Sequence, residues 1–192
     1  MIRLSRLAAL SALAALAGCA STPAPAPAPV VSAPVLAVVG TVARAEAALA
    51  PASASIASGR LVLVAEPGGV RISGTLGGLR PGLPAAFHVH ERGDCSAVDA
   101  SSAGGHFNPL GQPHGRSGSA AHHLGDMDNL QVDSQGRAAV DVLLPGVVLG
   151  GGAANDIIGR ALVVHGQADD YHSAPAGNAG PRVACGVIRA LS

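Results

Sequence analysis

The sequence predicts an all-β domain, folded as a sandwich or barrel, and two observations support this. Short segments rich in Val, Leu and Ile recur along the chain, separated by Gly- and Pro-containing turns, as in antiparallel β proteins. No long run with helical periodicity occurs beyond the first residues. The length of 192 residues allows one domain with a buried core, plus appendages.

Eight segments are predicted to be strands. Residues 58–65 and 70–76 alternate in hydrophobicity on either side of a turn at 67–69, which predicts a hairpin. Residues 42–50 are rich in alanine and could form a helix, but their position beside clear strands favours a strand. The remaining predicted strands are residues 85–91, 129–132, 137–144, 157–165 and 182–190.

The N-terminus is typical of a targeting segment. Arg3 and Arg6 precede an apolar run over residues 7–16, which is too short to span a bilayer and fits the apolar region of a secretory signal. The run ends in Leu-Ala-Gly-Cys19, which resembles a bacterial lipoprotein signal, in which cleavage precedes a lipidated cysteine. Ala20 after this cysteine favours the outer membrane. The alternative is ordinary cleavage nearby, which would leave Cys19 as an unmodified thiol.

We therefore divide the chain into a signal peptide (residues 1–18), a lipidated cysteine with a Pro/Ala-rich tether (19–40) and a folded domain (41–192). The tether should be extended, partly as polyproline II. Without the signal, the chain contains 10 Arg and 12 acidic residues, which gives a formal charge of −2. This balance argues against a basic protein that binds the membrane surface, and the lack of a basic cluster argues against nucleic-acid binding. Membrane attachment is expected through the lipid anchor on Cys19.

Most of the histidines lie in one stretch, between Phe87 and Asp126. The stretch begins as a predicted strand and continues for roughly 35 residues without apolar periodicity, and compact domains rarely carry so long a connection unless it has a function. Six of the eight histidines lie here: His88, His90, His106, His114, His122 and His123. Because imidazole is a common metal ligand, we expect a metal site formed by a loop that folds onto a β scaffold.

The spacing of His88 and His90 supports this hypothesis. In a strand, residues two apart lie on the same face, so both imidazoles would point one way and Val89 the other. This spacing alone is weak, since two surface histidines would fit it equally well. His165 ends a predicted strand in the second half of the chain, and Asp126 adds a carboxylate near the end of the loop.

Several motifs occur in the order known from one family. The segments FHVHERGD, GGHFNP, HHLGD, GRALVVHGQADD and GNAGPRVACGVI resemble the motifs of the copper/zinc superoxide dismutase family, in its bacterial secreted branch. The resemblance extends from about residue 42 to the C-terminus. It implies an eight-stranded Greek-key β-barrel that disproportionates superoxide to O₂ and hydrogen peroxide. Copper would cycle between Cu(II) and Cu(I), and zinc would be structural.

The resemblance assigns two metal sites that share one residue. Copper would be bound by His88, His90, His106 and His165, and zinc by His106, His114, His123 and Asp126. Four imidazoles suit Cu(II), and three imidazoles with a carboxylate suit tetrahedral zinc. His106 would bridge the two ions. His122 competes with His123 for zinc, but the family pattern leaves a single residue between the ligand and Gly-Asp, which selects His123.

Four further residues receive roles from the resemblance. Asp169 would accept hydrogen bonds from one ligand of each metal, the alternative being a surface acid. Arg182 would line the channel over copper and bind the anion, the alternative being a surface residue at a strand end. Cys95 and Cys185 would form a disulfide, as expected for paired cysteines in an oxidising compartment.

The family mechanism assigns catalytic roles to Arg182 and His106. Arg182 attracts superoxide, and His106 takes up a proton that later leaves with hydrogen peroxide. Residues 166–181 match the family's electrostatic loop, which usually supplies Lys and Glu, but this loop contains no Lys. We therefore expect Arg182 to be the main attractor and the rate to depend little on salt. His172 in this loop should be exposed to solvent.

The expected location is the periplasm or cell envelope, with lipid anchoring at the outer membrane and protection of the envelope from superoxide. The protein could be a monomer or a homodimer. The main alternative is a non-enzymatic envelope lipoprotein that stores or delivers copper or zinc, which would need the same ligands but not Arg182. A structural β-sandwich with incidental histidines would not explain the separate motifs.

Overall fold

The described part of the chain, residues 34–192 of a computed structural model, forms an antiparallel sheet of eight strands. The predicted signal peptide, Cys19 and most of the predicted tether lie outside the described residues. The strands are β1 (Arg44–Pro51), β2 (Ser58–Glu66), β3 (Gly69–Gly77), β4 (Phe87–His90), β5 (Ala138–Pro145), β6 (Ala161–His165), β7 (Arg182–Val187) and β8 (Arg189–Ala190). In this part of the chain, no helix is long and apolar enough to cross a membrane.

The strand order gives the sheet Greek-key connections. The order is β4-β6-β7-β1-β2-β3-β5, with β8 paired to β1. The chain crosses from β3 to β4 at the far end of this order, returns to β5 beside β3, and crosses again to β6. Phe87 of β4 and Leu144 of β5, from opposite ends of the order, belong to one hydrophobic core. The sheet therefore curls around a common interior, and the predicted all-β fold is confirmed.

The core is built by alternation along the strands. Leu61 and Leu63 of β2 are fully buried, whereas Val62 and Val64 between them are half-buried. Ile72 of β3 packs into the same cluster. Each buried Leu or Ile contributes about 1.5–3 kcal/mol relative to an exposed side chain. The strand predicted at residues 42–50 is confirmed as β1, which starts two residues later and ends one residue later than predicted.

Strand β4 is buried on both faces, and this positions the site. Phe87 and Val89 point into the core. Because side chains alternate between the two faces of a strand, His88 and His90 lie on the opposite face. These two histidines are nevertheless 0% and 1% exposed. The long loop between β4 and β5 must therefore cover this face of the strand.

The prediction of a strand at residues 129–132 is wrong. Leu130 forms only an isolated bridge with Ala85, with N–O distances of 2.8 and 3.1 Å. The backbone N–H of Asn129 donates to the hydroxyl of Tyr171 instead of a neighbouring strand. This segment is therefore pinned by side chains and does not extend the sheet.

Two other predicted strands have different bounds. Residues 157–160 form a turn, in which the Arg160 N–H donates to the Ile157 carbonyl at 3.1 Å, so β6 starts only at Ala161. The segment 182–190 is interrupted at Ile188, whose N–H donates to Arg160 at 2.9 Å and which separates β7 from β8. In both places the backbone hydrogen bonds leave the strand ladder, which a hydrophobicity pattern does not reveal.

The chain contacts the domain from Val35 onward, within the segment predicted as tether. Val35 O accepts from the Ala154 N–H at 3.0 Å. Asn155, which is 1% exposed, accepts from the Ala37 N–H and donates to its carbonyl, both at 2.8 Å. One buried amide thus fastens the start of the described chain to the loop before β6.

The predicted disulfide between Cys95 and Cys185 is present. The Cα atoms are 5.8 Å apart, and the two residues are separated by 90 positions in sequence. The bond joins the long loop after β4 to β7, the strand next to β6. It therefore fixes one side of the loop that covers His88 and His90.

Candidate metal centre

The edge of β4 organises the long loop. His90 pairs with His106, and His88 pairs with Asp126, each through an isolated antiparallel bridge. Between these bridges, the Phe107 N–H donates to the Val89 carbonyl at 2.8 Å. Two distant loop segments thus attach to the free edge of β4, and backbone pairing brings their side chains to the histidines of the strand.

The first group of side chains, called here the all-histidine cluster, combines strand and loop residues. It consists of His88 and His90 of β4, His106 of the loop and His165 of β6. One ring nitrogen from each lies within 4.8 Å of the others. All four residues are at most 7% exposed. This is the set predicted to bind copper.

The orientation of His90 and His165 shows which kind of ligand the cluster suits. The Nδ1–H of His90 donates to the Gly104 carbonyl at 3.0 Å, and that of His165 to the Gly180 carbonyl at 3.3 Å. A neutral ring that donates from Nδ1 carries a lone pair on Nε2. The two Nε2 atoms nevertheless face each other at 3.3 Å. Two acceptors at this distance repel, and a shared cation would satisfy both.

A proton is a poor substitute for that cation. Burial lowers the pKa of His90 to about 2, with neighbouring His106 adding to the shift. Burial likewise lowers the pKa of His165 to about 3. Both rings are therefore neutral at physiological pH, which is the state that binds a metal.

The second group, called here the mixed cluster, lies entirely in the loop. It consists of His106, His114, His123 and Asp126. Asp126 Oδ1 lies 2.8 Å from His106 Nδ1 and 3.2 Å from His123 Nδ1. Burial alone would raise the pKa of Asp126, but hydrogen bonds from His106 and His123 outweigh it and hold the pKa well below its usual range. This is the set predicted to bind zinc.

His106 belongs to both clusters through its two nitrogens. Its Nδ1 faces the mixed cluster, at 2.8 Å from Asp126 and 3.4 Å from His123. Its ring centroid is 4.0 Å from that of His88 in the all-histidine cluster. Burial lowers the pKa of His106 to about 4, against the opposing hydrogen bond to Asp126.

The orphaned nitrogens of the clusters fit two metal ions. Within residues 34–192, three buried side-chain nitrogens have no hydrogen-bond partner: His88 Nδ1, His106 Nε2 and His114 Nδ1. Buried polar atoms without partners are rare in folded proteins. All three belong to the clusters, and a metal in each cluster would give each of them a partner. The donor sets also match the preferences of copper and zinc.

Asp169 connects the two clusters from outside. Its Oδ2 accepts from His88 Nε2 at 2.8 Å, and its Oδ1 accepts from His114 Nε2 at 3.0 Å. Burial would raise the pKa of Asp169, but these hydrogen bonds outweigh it and lower the pKa to about 2. Because both Nε2 atoms donate, the Nδ1 lone pairs of His88 and His114 point towards the clusters.

Sequence reasoning missed three residues that hold the site in place. Asn129 accepts from the Asp169 N–H at 2.8 Å and donates to its carbonyl at 2.9 Å. Gly177 has a φ of +64°, and a Cβ there would overlap the Asp169 carboxylate. Gly104 supplies the carbonyl that orients His90. No spacing rule could identify them, because their contacts arise only when distant loops meet.

Arg182 lies beside the all-histidine cluster. Its Nη1 donates to the Ala100 carbonyl at 2.7 Å and its Nη2 to the Gly104 carbonyl at 2.6 Å. The same Gly104 carbonyl accepts from His90. The guanidinium is thus fixed next to a candidate copper ligand, although the side chain is only partly buried.

The two remaining histidines lie outside both clusters. His122 is half-buried, and its Nδ1 lies 2.7 Å from the His123 carbonyl. His172 is exposed, as predicted. The predicted lipidation site, Cys19, lies outside the described residues.

Comparison with known proteins places the chain in a family. Residues 57–188 match the family model described as "Copper/zinc superoxide dismutase (SODC)". The chain belongs to the copper/zinc superoxide dismutase family.

Relatives and solved structures agree with this family. Superoxide dismutase (Cu-Zn) 2 of Aquifex aeolicus is 47% identical over 134 residues, which span 68% of this chain and 78% of that protein. Superoxide dismutase (Cu-Zn) 1 of the same organism is 45% identical over 134 residues, spanning 68% and 79% of the two chains. The crystal structure of a double mutant of a SOD-like protein from Bacillus subtilis superposes with a TM-score of 0.69 at 36% identity, covering 75% of this chain and 96% of that one.

Proposed function

We propose that this protein is a copper/zinc superoxide dismutase that converts superoxide to O₂ and hydrogen peroxide. The observation that carries the proposal is that His106 is a member of both ligand clusters, with Nδ1 turned to Asp126 of the mixed cluster and Nε2 buried without a partner. Copper would be held by the all-histidine cluster and zinc by the mixed cluster. When bound, copper would supply one-electron redox chemistry between Cu(II) and Cu(I), while zinc would order the loop.

The protein's own residues would manage the anion and the protons. The Arg182 guanidinium offers a permanent positive charge and paired N–H donors to a small anion. Conversion of two superoxide ions to O₂ and peroxide consumes two protons. His106 would hold one of them at Nε2 and release it to the peroxide, and water would supply the other.

The location and assembly of the protein are part of the proposal. The lipoprotein-type sequence around Cys19 supports a lipid anchor in the outer membrane, with the domain in the periplasm on a Pro/Ala-rich tether. The disulfide supports an oxidising compartment. There the enzyme would protect the cell envelope from superoxide, as a monomer or homodimer.

The test is superoxide dismutation by the purified full chain loaded with copper and zinc. We expect rapid catalysis that is lost in a His90→Ala variant and retained in His172→Ala, a matched control at an exposed histidine. Metal content is measured on each variant. Full copper occupancy without catalysis would contradict the proposal and favour the storage or delivery alternative.

A further inference from the structure

A second arginine lies close to Arg182. The Arg92 N–H donates to the Ala103 carbonyl at 3.0 Å, and the Arg92 side chain covers the next residue, Gly104. A Cβ on Gly104 would lie 2.7 Å from Arg92 Nε. Since Arg182 donates to the Gly104 carbonyl, the two guanidinium groups meet at the same short turn. The proximity has an electrostatic effect, because Arg92 adds to the lowering of the Arg182 pKa that burial causes.

Arg92 differs from Arg182 in its exposure. Its side chain is 66% exposed, so its charge faces solvent, whereas the Arg182 guanidinium is held by two backbone carbonyls. Residues 166–181 carry acidic side chains but no Lys or Arg. This loop therefore offers no positive charge to an approaching anion, whereas Arg92 and Arg182 meet at Gly104, whose carbonyl accepts from His90.

Glu91 partly cancels this charge. Its Oε1 lies 3.4 Å from Arg92 Nη2, a long contact, and also accepts from the Gly105 N–H at 3.1 Å. The Glu91 side chain is 47% exposed. At long range the pair is neutral, which agrees with the small salt dependence expected for the unmodified protein. Close to the pair, an anion would be attracted by Arg92 and repelled by Glu91, and the two effects would not cancel.

We propose that Arg92 is a second anion-attracting residue of this site and that Glu91 restrains it. The inference rests on the proposed function and adds a residue that determines how fast the substrate reaches Arg182. Arg92 does not touch the reacting atoms. It acts on the approach of superoxide, so its effect belongs in kcat/KM and in the salt dependence of that constant.

The expected effects have opposite signs for the two residues. One charge about 10 Å from a small anion in water changes the local anion concentration about twofold. Arg92→Gln should therefore lower kcat/KM about twofold at low ionic strength. Glu91→Gln should raise it about twofold and make it fall with added salt, because Arg92 then loses its ion-pair partner and only Asp94 still offsets its charge, which is screened over roughly 8 Å at 0.15 M. The glutamine oxygen can still accept from Gly105.

The matched control is a second Arg–Glu pair elsewhere on the domain. Arg60 on β2 pairs with Glu46 on β1 at 2.5 Å, and two strands, β7 and β1, separate β2 from β6 and its His165. Arg60→Gln and Glu46→Gln change the net charge by the same amounts and should leave kcat/KM unchanged. Arg92→Lys should retain the unmodified rate. Equal effects at both pairs, or a loss in Arg92→Lys as large as in Arg92→Gln, would overturn the proposal.

A second readout separates this inference from the proposed function. The dissociation constant of azide from the copper-loaded protein, measured by absorbance titration, should rise about twofold in Arg92→Gln and fall in Glu91→Gln. This measurement needs no turnover. Absence of dismutation in the unmodified protein would refute the proposed enzyme, whereas unchanged azide affinity in both variants would refute the role of Arg92.

Discussion

The two clusters share His106 but are built by different parts of the fold. In the all-histidine cluster, three of four members lie on β4 and β6, two strands paired by a regular ladder. In the mixed cluster, every member lies in the loop between β4 and β5. The sheet therefore fixes the first cluster, and hydrogen bonds to one carboxylate, Asp126, fix the second.

This difference predicts how each cluster depends on its metal. Strand residues keep their positions through backbone pairing, so the all-histidine cluster should be largely preformed. The mixed cluster places three imidazoles around a carboxylate whose oxygens also accept from the backbone of Gly115 and His123. Because isolated bridges and side-chain hydrogen bonds hold these ligands instead of a regular strand ladder, metal binding there should contribute directly to folding.

The largest expected effect comes from removing the shared residue. In His106→Ala, both clusters lose a ligand, so we expect loss of both metals and of essentially all dismutation. Metal analysis and the rate of superoxide loss are measured together, with His122→Ala as the control because His122 lies outside both clusters. Loss of only one metal would show that His106 does not bridge.

The disulfide tests whether the loop near the all-histidine cluster needs a covalent tie. Replacing Cys95 and Cys185 by Ser should lower the free energy of unfolding by about 4 to 5 kcal/mol, since the bond closes a loop of about 90 residues. Urea unfolding measures the change, and Cys19→Ser is the control that leaves this bond intact. We expect zinc affinity to weaken more than copper affinity, because every member of the mixed cluster lies in the loop that this bond ties to β7, and the reverse order would contradict the division between strand and loop.

Acid should destabilise the metal-free protein through the all-histidine cluster. The folded pKa values of His90, His165 and His106 are about 2, 3 and 4, whereas unfolded histidines titrate near 6.5. Between these values the unfolded chain binds more protons. The stability contribution is therefore complete above pH 6.5 and is lost as pH falls towards the folded pKa values.

The measurement is urea unfolding of the metal-free protein, followed by circular dichroism at pH 7 and pH 5. The free energy of unfolding should fall at pH 5 by about 2 kcal/mol for each imidazole that titrates independently. His172→Ala should behave as the unmodified protein, because this histidine is exposed. Equal stability at both pH values would mean that the buried imidazoles are not held neutral.

The smallest of these effects concerns the residue that connects the clusters. In Asp169→Asn, the amide can accept from only one of His88 and His114, so we expect roughly 10- to 100-fold weaker binding of a metal in at least one cluster. Competition with chelators measures both affinities, and Asp170→Asn, at the exposed neighbour, is the control. Unchanged affinities for both metals would show that the ligands do not need the hydrogen bonds to Asp169.

Much of the site could be predicted because its residues carry recognisable spacing. The alternation of His88 and His90 with Val89 identified one face of a strand, and the family resemblance selected His123 over His122. The prediction of a strand at residues 129–132 was wrong because Asn129 forms hydrogen bonds with Tyr171 and Asp169, which are distant in sequence. Such side-chain contacts compete with sheet pairing, and local hydrophobicity does not record them.

The all-β class, the types of metal ligand and the candidate cysteine pair could be inferred without a structure, because periodicity, imidazole chemistry and thiol content are properties of the chain. The folded molecule was needed to show that bridges from β4 to His106 and Asp126 bring the loop to the strand. It was also needed to show that Gly104, Gly177 and Arg92 lie around the site. These positions follow from backbone pairing between segments far apart in sequence, where no local pattern specifies which atoms will meet.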